Sequence, residues 1–393
     1  MPKLAASRIA CYAVAAPGLE AIVAAEFAPL VASPVSAEVG GVAFTATRAE
    51  LYRVNLWSRT ASRVLVRLAE FDAAHFSELQ RGCEQIRWEQ FVGPRDGVRI
   101  RVTCRKSRLY HSDAVAERVG EAIRRRTGAV VVDGGAEDEE DAGGAQLVVV
   151  RLLHDHCTIS ADSSGELLHR RGYRQAVAKA PLRETLAAAM LLAAGYDGSG
   201  PLLDPLCGSG TIPIEAALIA RAVAPGRHRA FAFERWLDFD ADVWHALRAR
   251  ADEGVHSFAP HPIAGSDRDA GAVRAALANA ERAGVADDVV FEPRALSAAV
   301  PPAASAAAAV PGWLVTNPPY GKRLGEADAL RDLWARLGQF AHVRCPGWRM
   351  GVLAPGGLVG ARLDVPLATV AATRNGGLAV DIAVGAIPDA RDP

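Results

Sequence analysis

The chain has 393 residues, 50% of them hydrophobic and 23% charged, with a mean hydropathy of +0.09, which excludes a disordered or collagen-like polymer and predicts two or three domains of about 150 residues. Its 44 Lys and Arg balance 45 Asp and Glu, giving a net charge of −1 and a pI near 6.8, so any nucleic-acid binding must come from local patches. No apolar run approaches the roughly 18 residues of a spanning helix, six cysteines contain no CxxC, and Pro17, Gly18 and Glu20 break the apolar N-terminus, so the expectation is a cytoplasmic protein with no membrane segment and no metal site.

In chain order, residues 9–15 read as a strand and 17–27 as a helix opened by Pro17. Gly40-Gly41 introduces a short strand at 42–44, and 48–58 is helical with Leu51, Val54 and Trp57 on one face. Strand 63–70 alternates, with Val64, Val66 and Leu68 opposite Arg63, Leu65 and Arg67. Strand 98–105 follows, then a polar turn and a helix over 113–126 with Asp113 as its N-cap. Residues 1–128 carry 19 Lys and Arg against 13 Asp and Glu. Such cations suit a helix C-terminus, and they also make Arg105, Lys106, Arg108, Arg124 and Arg125 candidates for RNA binding. An acidic loop at 133–144 leads to strands 146–153 and 157–162. His154 and His156 are assigned to one strand face, with no third metal ligand nearby.

A basic linker, 166–180, contains His169-Arg170-Arg171-Gly172-Tyr173-Arg174 and adds Arg171 and Arg174 to the RNA-binding candidates. From residue 181 strands and helices alternate, the pattern of a parallel sheet. Residues 225–257 read as an inserted helical segment whose Asp238, Asp240 and Asp242 are solvated, and 300–310 as a Pro/Ala-rich loop.

Three features in this half carry chemistry. Leu202-Leu203-Asp204-Pro205-Leu206 runs into Cys207-Gly208-Ser209-Gly210-Thr211 and a helix, an arrangement that admits a ligand to the backbone and to free helix N–H groups. Pro213 stands where a dinucleotide fingerprint has its third glycine, which argues against NAD; a plain tight turn is the competing role. Asp267 ends the strand 263–267, where it can accept both hydroxyls of a ribose or merely cap the next helix. The third feature is an apolar strand ending in Asn317-Pro318-Pro319-Tyr320-Gly321. The prolines hold Asn317 extended, so its side-chain carbonyl and the Pro318 main-chain carbonyl can accept from one exocyclic NH₂ while Tyr320 offers a stacking face. An ordinary strand-to-helix turn is the plainer reading. Cys207 has no activating base near it in sequence and reads as a packing residue.

The motifs Asp204–Thr211 and Asn317–Gly321 resemble those of class I S-adenosylmethionine-dependent methyltransferases acting on exocyclic amines. Arg59–Arg63 and Ser107–Ser112 resemble a ferredoxin-like plus THUMP module, and Leu168–Arg174 with the segment 181–189 resembles the junction in the RlmL group, guanine-2-amino methyltransferases of 23S ribosomal RNA. The resemblance implies a ferredoxin-like region at 1–70, a THUMP-like RNA-binding domain at 71–165, and an α/β Rossmann-like methyltransferase domain at 181–393 with a mostly parallel, doubly wound sheet. It implies S-adenosylmethionine held by Asp204, Cys207, Gly208, Gly210, Thr211, Asp267 and Asn317, catalysis through Asn317, Pro318, Pro319 and Tyr320, and 23S rRNA or an assembly intermediate as partner. A tRNA guanine methyltransferase, a DNA adenine methyltransferase and a non-catalytic assembly factor are the alternatives. Many RlmL proteins carry a second methyltransferase half that this sequence lacks, which implies the stand-alone form without that second activity. The family's usual acid after strand 289–292 is replaced by Pro293-Arg294-Ala295-Leu296, so a backbone group is expected to contact the adenine.

Overall fold

The computed structural model describes residues 8–132, 144–175, 182–302, 310–320, 327–355 and 363–389, and they form two compact units. One comprises Val23–Leu168 and Arg229–Ala249 with the N-terminal strand; the other comprises Ala16–Ile22, His169–His228 and the chain from Arg250 onward. The expectations for the acidic residues 133–143, for the segment 303–309 and for Gly321 lie outside the described residues.

In the first unit, β1 (Ile9–Val14), β2 (Ser36–Glu38), β3 (Gly41–Ala46), β4 (Arg63–Asp72), β5 (Gly97–Arg105), β6 (Val130–Val131), β7 (Gln146–Leu153) and β8 (His156–Asp162) make one sheet in the order 2-3-1-4-8-7-5-6. The boundary expected at residue 70 falls inside β4. This ten-residue strand pairs with β1 through Arg63–Val66 and with β8 through Leu65–Asp72, so a single sheet runs through both N-terminal modules. The expected alternation fails where β4 is interior: Arg63, Val64, Leu65 and Val66 are all buried, and Arg63 is compensated by Asp162 at 2.5 Å.

Helix α1 (Glu20–Phe27) from Val23 onward, α2 (Arg48–Trp57), α3 (Phe76–Glu84) and α4 (Ser112–Thr127) belong to this unit. A reciprocal Thr47–Glu50 capping box starts α2. Two expected helix starts are corrected. Pro17 and Gly18 lie in the turn before α1, and Asp113 sits inside the first turn of α4, whose N-cap is His111. Leu79 of α3 and Val115, Val119 and Ile123 of α4 share a core with Val98, Val148, Val150 and Ile159 of the sheet. His154 and Asp155, with φ of 54° and 62°, form the turn joining β7 to β8, so His154 does not share a strand face with His156.

The second unit contains α5 (Glu184–Ala193), β9 (Leu202–Asp204), α6 (Thr211–Ala220), the last four residues of α7 (Ala241–Glu253), whose remainder belongs to the first unit, β10 (Ile263–Asp267), α8 (Ala270–Ala283), β11 (Val289–Pro293), β12 (Trp313–Thr316), α9 (Ala327–Arg344), β13 (Arg349–Pro355), β14 (Ala368–Asn375) and β15 (Leu378–Ala386). The sheet order is 11-10-9-12-13-15-14; β15 alone runs against its neighbours. This is the expected Rossmann-like, mostly parallel sheet. The chain leaves β9 toward β10 and β11, then returns to β12 on the other side, which makes the β9/β12 crevice the topological switch point where such sheets bind ligands.

The segment expected as a solvated insertion belongs in part to the first unit. Phe231, Phe233 and Trp244 cluster on Tyr52 of α2, with the Tyr52 and Phe233 rings stacked at 4.4 Å. Trp236 Nε1 donates to Gln146 Oε1 at 2.9 Å. Asp240 and Asp242 are exposed, as expected, whereas Asp238 is half-buried and pairs with Arg48. Among the described residues no helix is long and apolar enough to cross a membrane, and no cluster of three His, Cys, Asp or Glu could hold a metal ion.

Candidate active site

Parallel strands bring the carboxyl ends of β9, β10 and β12 to one edge, and the three chemical motifs are the chain's exits from those strands. Asp204 ends β9 and is 1% exposed. Its Oδ1 accepts from the Leu206 N–H at 3.1 Å and from the Thr316 hydroxyl at 2.6 Å. Burial pushes this carboxyl up to about 7; the Thr316 and Leu206 hydrogen bonds oppose the rise and the nearby Asp267 adds to it.

The glycine-rich turn is pinned to the neighbouring strand, with the Cys207 N–H donating to the Ser266 carbonyl at 2.9 Å and the Gly208 N–H to Asp267 Oδ2 at 3.0 Å. Its glycines serve different ends. At Gly208, φ is 51° and nothing lies within 4 Å of where a Cβ would stand, leaving an open cradle. At Gly210, φ is 83° and a Cβ would come within 2.9 Å of Phe291 and Ala276, so this glycine is needed for packing. Gly210 is also the N-cap of α6 and provides no side-chain cap, so the N–H groups from Thr211 onward are presented without one. Cys207 is buried, and burial, with Asp204 and Asp267 adding to it, holds its thiol well above the ordinary range.

Asp267 does not cap α8. That role belongs to Asp269, which accepts from the Gly271 N–H at 2.7 Å. Asp267 instead accepts from the Asp269 and Gly208 N–H groups, beside the cradle. Across the crevice, β12 delivers Asn317, whose Oδ1 is buried without a hydrogen-bond partner. Leaving such an acceptor unsatisfied costs about 1–3 kcal/mol, so a donor brought to it, such as a substrate N–H, would be bound favourably. Pro318 is buried, Pro319 exposed and Tyr320 half-buried, its hydroxyl accepting from Asn375 Nδ2.

The basic candidates separate. Arg171 and Arg174 are corrected as RNA contacts: Arg171 Nε pairs with Glu215 at 2.9 Å with both side chains buried, and Arg174 pairs with Glu184 at 3.3 Å and donates to the Leu182 carbonyl. A buried carboxylate is stabilised by a cation, and the junction's arginines supply one to Glu215 and to Glu184 inside the second unit. His169 is buried among Arg183, Arg174, Arg170 and Arg171; burial first and these cations second bring it down to about 3, so it is neutral at physiological pH. Arg105, Lys106, Arg108, Arg124 and Arg125 are exposed, but they do not form one patch. Val130, just past α4, pairs beside Gly97, eight residues and about 26 Å of strand from Arg105.

Several residues missed in the sequence support the site. Asn279 of α8 donates to the Ser209 carbonyl at 3.0 Å, Arg282 donates to Asn279 and to the Tyr173 carbonyl, and Thr316 bridges β12 to Asp204. Glu215 alone left a visible signal, as the one acid in the otherwise apolar helix Thr211–Ala220.

Residues 10–65 match the RlmL ferredoxin-like domain, 73–162 the THUMP domain, and 171–356 the family described as UPF0020, an RMKL-like methyltransferase domain. A putative RNA methyltransferase of Synechocystis is 38% identical over 374 residues, 93% of this chain and 94% of that protein. The chain belongs to the THUMP-containing RNA methyltransferases of the RlmK/L type. This methyltransferase is also 40% identical to the ribosomal RNA large subunit methyltransferase K/L of Syntrophotalea carbinolica, with 87% of the chain matching 48% of that protein. It thus spans about half the length of the K/L relatives it matches. Among solved structures, SMU.472, a putative methyltransferase complexed with SAH, has a TM-score of 0.83 at 28% identity and covers 98% of this chain and 99% of its own. A Listeria monocytogenes protein described as a predicted N6-adenine-specific DNA methylase has a TM-score of 0.83 at 32% identity, with 97% of each chain covered. S-adenosylmethionine is the cofactor of this methyltransferase. The open side of Gly208, the α6 N-terminus and the two acids beside it fit that molecule, which needs a close backbone approach, a carboxylate for its ammonium and acceptors for its ribose.

Proposed function

We propose that this RNA methyltransferase methylates the exocyclic 2-amino group of a guanine in 23S rRNA. The observation that carries the reading is the buried, unpartnered Asn317 Oδ1, an acceptor waiting for a donor at the switch-point crevice. With the Pro318 carbonyl beside it, Asn317 accepts both N–H bonds of the amine, turning its nitrogen lone pair toward the cofactor while Tyr320 stacks on the base. Asp204 takes the cofactor's ammonium, Asp267 its ribose hydroxyls, and the turn of Cys207, Gly208, Gly210 and Thr211 its amino-acid end. When bound, S-adenosylmethionine supplies an electrophilic methyl group whose departure leaves a neutral thioether. The C–N bond would form as the C–S bond breaks, and the proton then lost from the positively charged methylated nitrogen would pass to water, so no strong base is required; positioning the two reactants in line is worth about 7 to 11 kcal/mol. The target base must leave its stack, at a cost of a few kcal/mol that is smallest in an unpaired loop.

The names of the K/L relatives support large-subunit rRNA as the substrate, and the N-terminal module supports RNA over DNA. Tritiated methyl transfer to unmodified 23S rRNA, 16S rRNA, tRNA and DNA, followed by nucleoside analysis, tests this reading. N2-methylguanosine confined to 23S rRNA is expected; the same nucleoside in tRNA would replace the substrate, and N6-methyladenine in DNA would overturn the assignment. Asn317→Ala should lower transfer by about 10²- to 10³-fold while cofactor affinity, read by calorimetry, stays within about twofold.

A further inference from the structure

Tyr320 follows two prolines and is the residue through which the crevice offers an aromatic face. A stacking ring selects a base only if its plane is held; the Tyr320 ring packs on one side against the hydrophobic core of the second unit, and a tie at its hydroxyl fixes the exposed end. The tie comes from the far end of the chain. Asn375 is the last residue of β14, and its Nδ2 donates to the Tyr320 hydroxyl at 2.5 Å. The register places Asn375 opposite Leu378, closing β14 onto β15 with Gly376 and Gly377 between them. Both glycines have positive φ, 54° and 82°, as the tightest hairpin turn demands. Nothing lies within 4 Å of a Cβ at either, so conformation and not crowding explains them. The two-residue turn sets the position of the Asn375 backbone, and from there its amide reaches the Tyr320 hydroxyl.

We propose that Asn375 is a positioning residue for methyl transfer, with the tip of the β14–β15 hairpin fixing the Tyr320 ring against the target base. Asn375 touches neither the reacting atoms nor the cofactor site; it acts through Tyr320, and the proposal rests on the function proposed above. The hairpin therefore controls how the base sits once bound more than whether RNA binds.

The test is a double-mutant cycle in the full chain, with unmodified 23S rRNA and S-adenosylmethionine as reactants. Asn375→Ala and Tyr320→Phe should each lower kcat by about fivefold to tenfold, the worth of one hydrogen bond. The double variant should lose no more than either single one, because each change breaks the same bond. KM for RNA, calorimetric affinity for S-adenosylhomocysteine and the melting temperature should stay near wild type, which separates positioning from a folding defect. Losses that multiply in the double variant would overturn the proposal, as would full turnover by Asn375→Ala or a loss of kcat explained by unfolding. Absence of transfer by the wild-type chain, despite cofactor binding, would remove the proposed function itself and the present inference with it, and that outcome is read before any variant is made.

Discussion

The most informative single residues in the crevice are those whose polar atoms are buried with too many or too few partners. Asn317 lacks a donor, whereas Asp204 is a carboxylate taken out of water and kept within reach of ionisation by Thr316. Because the folded-state pKa of Asp204, about 7, lies above the ordinary carboxylate range, its protonated form favours folding at low pH, and that contribution is lost as pH rises through 7. Cofactor binding should run the other way. The ammonium of S-adenosylmethionine needs the ionised form, so its affinity should strengthen between about pH 6 and 7.5, before the ammonium itself deprotonates near 8. Thr316→Val removes the donor that opposes the rise and should move this transition to higher pH, with Thr316→Ser restoring it; calorimetric titrations across the range read the shift. A pH-independent affinity would remove Asp204 from the cofactor's ammonium. The sequence singles out Asp204, Asp267 and Asn317 as candidates by their places at strand ends. Thr316 escaped notice because a threonine inside an apolar strand is unexceptional until β9 and β12 lie side by side.

At the scale of elements, most strands and helices were legible because period and turn residues are local properties. β7 and β10 match their expected limits, as does the glycine-rich passage into α6 to within one residue. The differences have particular causes: Pro17 precedes its helix, His111 displaces Asp113 as a cap, and His154, placed with His156 on one strand face, lies in the turn between β7 and β8. The junction 169–174 differs from expectation for another reason, since exposed and buried arginines look alike in sequence. Arg171→Met should destabilise the second unit by about 3–5 kcal/mol by leaving Glu215 buried and uncompensated, and Glu215→Leu in the same chain should recover much of the loss. Chemical denaturation followed by intrinsic fluorescence measures both. If Arg171 contacted RNA instead, the variant would keep its stability and lose affinity.

At the scale of the molecule, charge is the least legible property. The net charge of −1 hides two basic clusters separated by the length of β5, although they are near neighbours along the chain. Each cluster gives its own expectation. If RNA lies on the Arg105–Arg108 end, Lys106→Glu with Arg108→Glu should weaken binding across sequences and reduce the slope of log affinity against log salt by about 0.7 for each lost phosphate contact, whereas Arg124→Glu with Arg125→Glu should change little. Filter-binding titrations at several salt concentrations distinguish the ends, and the reverse pattern would place the RNA at the C-terminus of α4.

The sequence alone determined the succession of strand, glycine-rich turn and helix, the acid closing the next strand, and the Asn-Pro-Pro-Tyr exit, along with the family these motifs resemble. All of these are written in residues within a few positions of one another, where backbone conformation is decided by sterics and turn chemistry. Only the tertiary structure decided that β4 joins two modules into one sheet, that Phe231, Phe233 and Trp244 serve the N-terminal unit, that Arg171 turns inward to Glu215, and that Asn375 reaches Tyr320. Those partners lie tens to hundreds of residues apart, and a buried polar or aromatic group takes its partner from whichever strands the folded sheet makes neighbours, a choice that no local pattern records.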